Sequence, residues 1–291
     1  MSSLCGFGGV LRARRIASSR LRAISSSEKS LSSGCLDITQ NQFDGPRLLI
    51  ERAREHLGDL KRRGQAFADS KPYARFCDFD SEAGEYVHGV RVTAETPMDF
   101  TLVVADVLNN LKSALDQAVC ASVSVLTPDK SLDGVCFPFG NSVAHYESAR
   151  KLGRQKVSPE VVTVIDMTQP YKGGNNLLWG MNAISKMNRH RMVQPVLFAA
   201  ESGFGIRTAI FPPGTSIMVP VWDSSKNELI FFRTKSASLQ YDLDVAFYIA
   251  FGDVEIMGGK PAIPALHGFS HMVEDIVGSI EAQTTIVASR P

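Results

Sequence analysis

Apolar residues recur at intervals of three and four over positions 97–123, at Val104, Val107, Leu108, Leu111, Leu115, Ala118 and Val119. That period draws one continuous stripe along a helix of about seven turns, the longest the sequence predicts. Thr96 is placed to cap it and Pro97 to open it. Beside the stripe runs a polar belt of Asp106, Asn109, Asn110, Lys112, Ser113, Asp116 and Gln117.

Upstream, Asp44, Gly45 and Pro46 read as the start of an earlier helix with Leu48, Leu49, Ala53, Leu57 and Leu60 on one face. Between 69 and 96 the period falls to two. Tyr86, His88, Val90 and Val92 alternate with Val87, Gly89, Arg91 and Thr93, which predicts one strand with the first set inward. Downstream helices are predicted over 142–152, from the Ser158-Pro159-Glu160 start, and through Leu177, Leu178, Met181, Ile184 and Met187. Between them, 136–140 reads as an extended segment pinned into the core by two aromatics.

After Gln194 the pattern is of strands, at 196–200, 208–211, 216–222, 228–234 and 245–254, with a hairpin signal in 223–227. Strands this closely spaced favour antiparallel pairing, because parallel ones need long crossovers. A last amphipathic helix at 266–281 is available to cover the sheet. The fold class is therefore α+β: a helical region at 44–192 built on the long central helix, then an antiparallel β region with a C-terminal helix at 193–291, either separate or sharing one globule. Residues 1–43 have no hydrophobic period, are dominated by Ser and Arg, and reach Glu28 before the first acid, so they are expected to be a disordered extension. Such a segment is either a flexible tail or a mitochondrial transit peptide.

Composition narrows the function classes. Of 291 residues 44% are hydrophobic, and 31 Lys and Arg nearly cancel 30 Asp and Glu. There is no global attraction toward nucleic acid or an anionic membrane, and no uncharged apolar run approaches the roughly 18 to 20 residues of a bilayer span. Five cysteines form no Cys-x-x-Cys pair, which fits a reducing compartment. The expected location is the cytoplasm, or the mitochondrial matrix if the first segment is a transit peptide.

Two clusters carry the candidate chemistry. On the central helix, Asn109, Lys112 and Asp116 share one face, with Asn110, Ser113 and Gln117 on the next. The second is Asn188-Arg189-His190-Arg191, where the preceding stripe continues in phase onto Asn188 and aims its amide at the core. In the plainer reading Lys112 and Asp116 make an ion pair along the helix, and Asn188, His190 and Arg191 finish a helix C-terminus. In the functional reading the clusters meet where two helices cross, and Asn110, Lys112, Asp116, Asn188, His190 and Arg191 hold a small anion such as phosphate or an RNA backbone. No metal site and no cofactor are expected: His267 and His271 are four apart, but nothing completes a tetrahedral set. The loop at 172–176 lacks the Gly-Lys-Ser/Thr ending of a phosphate cradle.

The blocks Asn109-Asn110-Leu111-Lys112-Ser113-Ala114-Leu115-Asp116-Gln117, Phe137-Pro138-Phe139, Gln169-Pro170-Tyr171 and Asn188-Arg189-His190-Arg191 resemble a widespread bacterial family whose activity is unassigned. Its members usually read Asn-Leu-Arg-Ser-Ala-Leu-Asp-His, then Phe-Pro-Ile, then Asn-Asp-Lys-His-Arg. The first block is also similar to the Arg-x-x-x-x-His motif of the HEPN ribonucleases, helical domains that act on an RNA phosphodiester. The matching positions are Lys112 and Gln117. Lys lacks the bidentate fork of Arg, and Gln moves no proton near neutral pH, so the resemblance implies a HEPN-like ribonuclease or its degenerate descendant. The leading expectation is a non-catalytic intracellular binding or interaction protein of unknown ligand, whose polar groups at the helix crossing either fix the helices or hold a small anion.

Overall fold

The computed structural model describes residues 33–153, 156–188, 195–223, 225–251, 257–258 and 260–290. In chain order the elements are α1 (Ser33–Asp69), β1 (Tyr73–Asp80), β2 (Glu85–Val92), α2 (Met98–Leu126), α3 (Val143–Gly153), α4 (Pro159–Met167) and α5 (Asn176–Asn188). They continue with β3 (Pro195–Ile210), β4 (Ser216–Asp223), β5 (Glu228–Thr234), β6 (Gln240–Phe251) and α6 (Ala262–Ala288). The fold is α+β, with antiparallel strand pairs and a C-terminal helix.

α2 is the centre of the core; it opens at Met98 with Pro97, not Thr96, in the cap position and no side-chain cap. Val104, Val107, Leu108, Leu111, Leu115, Ala118 and Val119 are all at most 1% exposed, the stripe that the period of three and four marks out. Against it lie Ile50, Ala53, Leu57 and Leu60 of α1 and Leu266, Phe269, Val273 and Ile280 of α6 in one apolar cluster. Burial of apolar surface stabilises by about 25 cal/mol per Å², and this shared cluster holds the three long helices together.

Four features depart from the sequence expectations. α1 starts at Ser33, upstream of the expected start, and runs through Pro46. Residues 33–43 are thus helical rather than part of a disordered extension, and Phe43 is fully buried. A proline inside a helix removes one ladder bond at about 3 kcal/mol, which is why it reads as a start. Here the packing of Phe43, Ile50 and Ala53 on both sides of it offsets that loss. The remainder of the extension, 1–32, lies outside the described residues, as does the transit-peptide alternative.

Next, the region before α2 holds a hairpin rather than one strand. β1 pairs with β2 from Tyr73↔Val92 to Asp80↔Glu85. The turn between them is closed by Asp80 Oδ1, which accepts from Glu82 N and Ala83 N at 3.1 Å each, and by Gly84 at φ +65°. β1 is an edge strand, largely exposed on both faces, so it has no apolar alternation to betray it.

The hairpin then joins later strands in a sheet of order β1-β2-β5-β4, while β3 and β6 form a separate two-stranded ribbon. β2 thus pairs with β5 across the expected boundary between 192 and 193, and the helical and β segments interleave. β3 also fuses two expected strands into one, with its ladder shifted between Ala199 and Phe204.

Finally, α6 is longer than expected and packs chiefly on α1 and α2 rather than over a sheet face. The four-stranded sheet has its own small core of Val90, Leu229, Phe231 and Phe232. Among the described residues no helix is long and apolar enough to cross a membrane.

Candidate functional site

Lys112 and Asp116 stand one turn apart on α2, and their side chains meet at 2.8 Å while remaining only 15% and 30% exposed. Asp116 does more than pair. Its Oδ1 accepts the Phe137 backbone N–H at 3.0 Å, which ties the segment before α3 to the middle of α2. Phe137 and Phe139 are buried there, and Lys112 Nζ lies 5.9 Å from the Phe139 ring centroid, within reach of a cation–π attraction.

These contacts form one wall of a cavity of about 270 Å³. α3 supplies Arg150, α4 supplies Val162 and Ile165, and α5 supplies Asn182 and Lys186. Ser158 caps α4 by accepting from Val161 N, with Pro159 at the first position, the start that the sequence announces. Arg150 is bound to Asp166, which also accepts a hydrogen bond from the Tyr146 hydroxyl at 2.6 Å. Burial first, and the adjacent carboxylate second, push the Tyr146 hydroxyl well above its ordinary value. Asp166 in turn keeps the Arg150 guanidinium firmly protonated.

Asn182 is 2% exposed, and its Oδ1 has no hydrogen-bond partner among the described residues. Arg150 Nε is in the same condition. Buried polar atoms are nearly always paired, and these two belong to residues of one cavity, the Asn182 oxygen open to a donor and the Arg150 N–H open to an acceptor. Lys186, one turn after Asn182, is exposed and forms no ion pair among the described residues. Cys136 also lines the cavity. Its thiol is pushed up by burial and then by Asp116, with Lys112 acting against them.

Of the expected site residues, Lys112 lines the cavity and Asp116 pairs with it, and α5 approaches α2, with Ser185 Oγ donating to Asn109 Oδ1 at 3.4 Å. Asn110 does not line the cavity: its amide donates to the Asp106 carbonyl one turn back at 2.7 Å. This is the local side-chain-to-backbone bond that Asn makes readily on a helix. Asn188 closes α5, and Arg189, His190 and Arg191 lie outside the described residues. Gln117, the second position of the HEPN-like spacing, is exposed beside Gly45 of α1.

Arg150, Asn182, Lys186 and Cys136 escaped the sequence reading. One signal was present for Asn182, four residues after Leu178 in the apolar stripe of α5 and beside Met181, where a polar residue has to be buried. Other chemical candidates resolve as structure. Gly173 N bonds Asn176 Oδ1 at 2.9 Å and Leu178 N bonds Asn175 Oδ1 at 3.1 Å, so the glycine-rich loop caps α5. His271 stands 3.7 Å from Glu274, which itself binds Arg54 of α1. Among the described residues no group of three His, Cys, Asp or Glu is placed to hold a metal ion. No family model, curated protein or solved structure matches the chain.

Proposed function

We propose that the protein is a non-catalytic binding protein that holds a small anion in the cavity between α2, the 136–140 segment and helices α3 to α5. The observation that carries this reading is the convergence of Lys112, Arg150 and Lys186 on one cavity, with the Arg150 Nε–H left without an acceptor among the described residues. Asp116 and Asp166 pair with two of the three cations, and the third, Lys186, has no acidic partner among the described residues. Phe137, Phe139, Val162 and Ile165 make the remaining walls apolar. Charge in such surroundings acts at a lower effective dielectric than in water, and a mostly apolar pocket with few polar groups is the usual form of a small-ligand site.

Calorimetric titration with inorganic phosphate and with benzoate, at low salt, tests the reading. Binding of either, weakened about tenfold or more in Lys112→Ala and in Lys186→Ala, is the expected result, since a charge-assisted hydrogen bond contributes about 1.5–3 kcal/mol. Absence of binding at millimolar concentration, or affinity indifferent to both substitutions, would overturn it. Cleavage of total RNA that is lost in Lys112→Ala would instead favour the ribonuclease reading, although among the described residues no histidine lines the cavity.

A further inference from the structure

Away from the cavity, the β1–β2 hairpin sets a thiol against an imidazole. Cys77 and His88 are directly opposite in the register, so both side chains stand on one face of the sheet. Cys77 Sγ is 3.6 Å from His88 Nε2. Their exposures differ as a reacting pair requires: Cys77 is exposed on the edge strand, whereas His88 is 2% exposed. Phe232 of β5 lies opposite His88 on its other side.

His88 also bonds the backbone of Ser236, a contact that favours the protonated ring and so comes from a carbonyl. Burial outweighs that contact and holds the ring below its ordinary value. Burial, and Asp78 after it, push the Cys77 thiol up. The resting pair is thus a neutral thiol beside a neutral imidazole, which suits proton transfer during attack rather than a standing thiolate. A second acceptor is also in reach, because Cys77 Sγ lies 3.6 Å from the Ala237 carbonyl oxygen.

We propose that Cys77 and His88 form a thiol–disulfide exchange site, with His88 Nε2 as general base and a low-molecular-weight disulfide as substrate. The other ring nitrogen keeps its proton and donates it in a hydrogen bond to the Ser236 carbonyl, and Nε2 presents its lone pair to the thiol. Cys77 Sγ attacks one sulfur of the disulfide while its proton passes to Nε2. The bond to the other sulfur breaks with its electron pair, and the imidazolium returns the proton to that departing thiolate. Cys77 is oxidised to a mixed disulfide and the leaving sulfur is reduced, so one disulfide has replaced another.

The test is the rate of Cys77 modification by 2,2′-dithiodipyridine, a neutral disulfide, on the full chain, with the labelled peptide quantified by mass spectrometry. Other charged or ionisable groups close by are Arg75 and Asp78 on β1, Tyr86 on β2, and Lys235 after β5, which pairs with Glu85. His88→Gln keeps all of them and removes the base. Between the ordinary histidine value of 6.5 and the ordinary thiol value of 9.0, the expected rate at Cys77 is nearly independent of pH. In His88→Gln it rises about tenfold per pH unit, as for attack by free thiolate, and at neutral pH it is slower by about 100-fold. A native profile that itself rises about tenfold per pH unit overturns the proposal whether or not His88→Gln folds. So does an unchanged rate in a folded His88→Gln.

Discussion

Asp116 is the side chain on which the candidate site depends most, and its replacement gives a magnitude that can be checked. In Asp116→Ala the Phe137 N–H loses its acceptor at 3.0 Å, and Lys112, only 15% exposed, loses its partner at 2.8 Å. A hydrogen bond to a charged group contributes about 1.5–3 kcal/mol, and a buried donor left open costs further. The expected destabilisation is about 3 kcal/mol in urea unfolding followed by circular dichroism, with little change in the slope. Asp116→Asn separates the two roles. It keeps an oxygen for Phe137 and gives up only the charge, so about 1 kcal/mol is expected, at the upper end of measured values for exposed pairs because this one is half-buried. The reasoning fails if Asp116→Ala stays within about 0.5 kcal/mol of the native protein, or if Asp116→Asn is as damaging as Asp116→Ala.

Three further outcomes follow from the same contacts. Leu115→Ala, at a position with no exposure in the centre of the α1–α2–α6 core, is expected to cost about 2–5 kcal/mol in the same unfolding assay. Lys186→Ala is expected to leave stability within about 0.5 kcal/mol while weakening anion binding, because the side chain is exposed and unpaired among the described residues. The third concerns alkaline pH. Tyr146 has its folded-state value raised above the ordinary 10.0, so the unfolded chain releases this proton first, and the stability it contributes is complete below that pH and lost above it. Unfolding midpoints from pH 8 to 11 should fall more steeply in the native protein than in Tyr146→Phe, and equal slopes would show that neither burial nor Asp166 holds the hydroxyl protonated.

How much of this was legible from the chain depends on period and on exposure. The α2 stripe from Val104 to Val119, the Ser158 cap of α4 and the β4–β5 hairpin each carry their signal within a few adjacent residues, and each stands where the pattern puts it. β1 did not announce itself, because an edge strand with exposed Ala74, Arg75, Cys77 and Asp78 has little apolar face to alternate. The upstream turns of α1 were hidden by Pro46, whose local cost is overcome only by packing that a single stretch of sequence does not display. Lys112 and Asp116 share a helix face by spacing alone, but Arg150 and Lys186 arrive from α3 and α5, and only the tertiary arrangement brings charges from three helices to one space. Cys77 and His88 are eleven positions apart in sequence and become neighbours only through the hairpin register.

The central claim is that an anion sits among Lys112, Arg150, Asn182 and Lys186. Crystals of the full chain soaked in bromide locate such an ion by its anomalous signal. The account predicts a bromide peak inside the cavity within hydrogen-bond reach of Lys112 Nζ or the Asn182 amide, absent after Lys112→Ala. Bromide found on the outer surface alone, with the cavity empty or filled by apolar side chains, would contradict it.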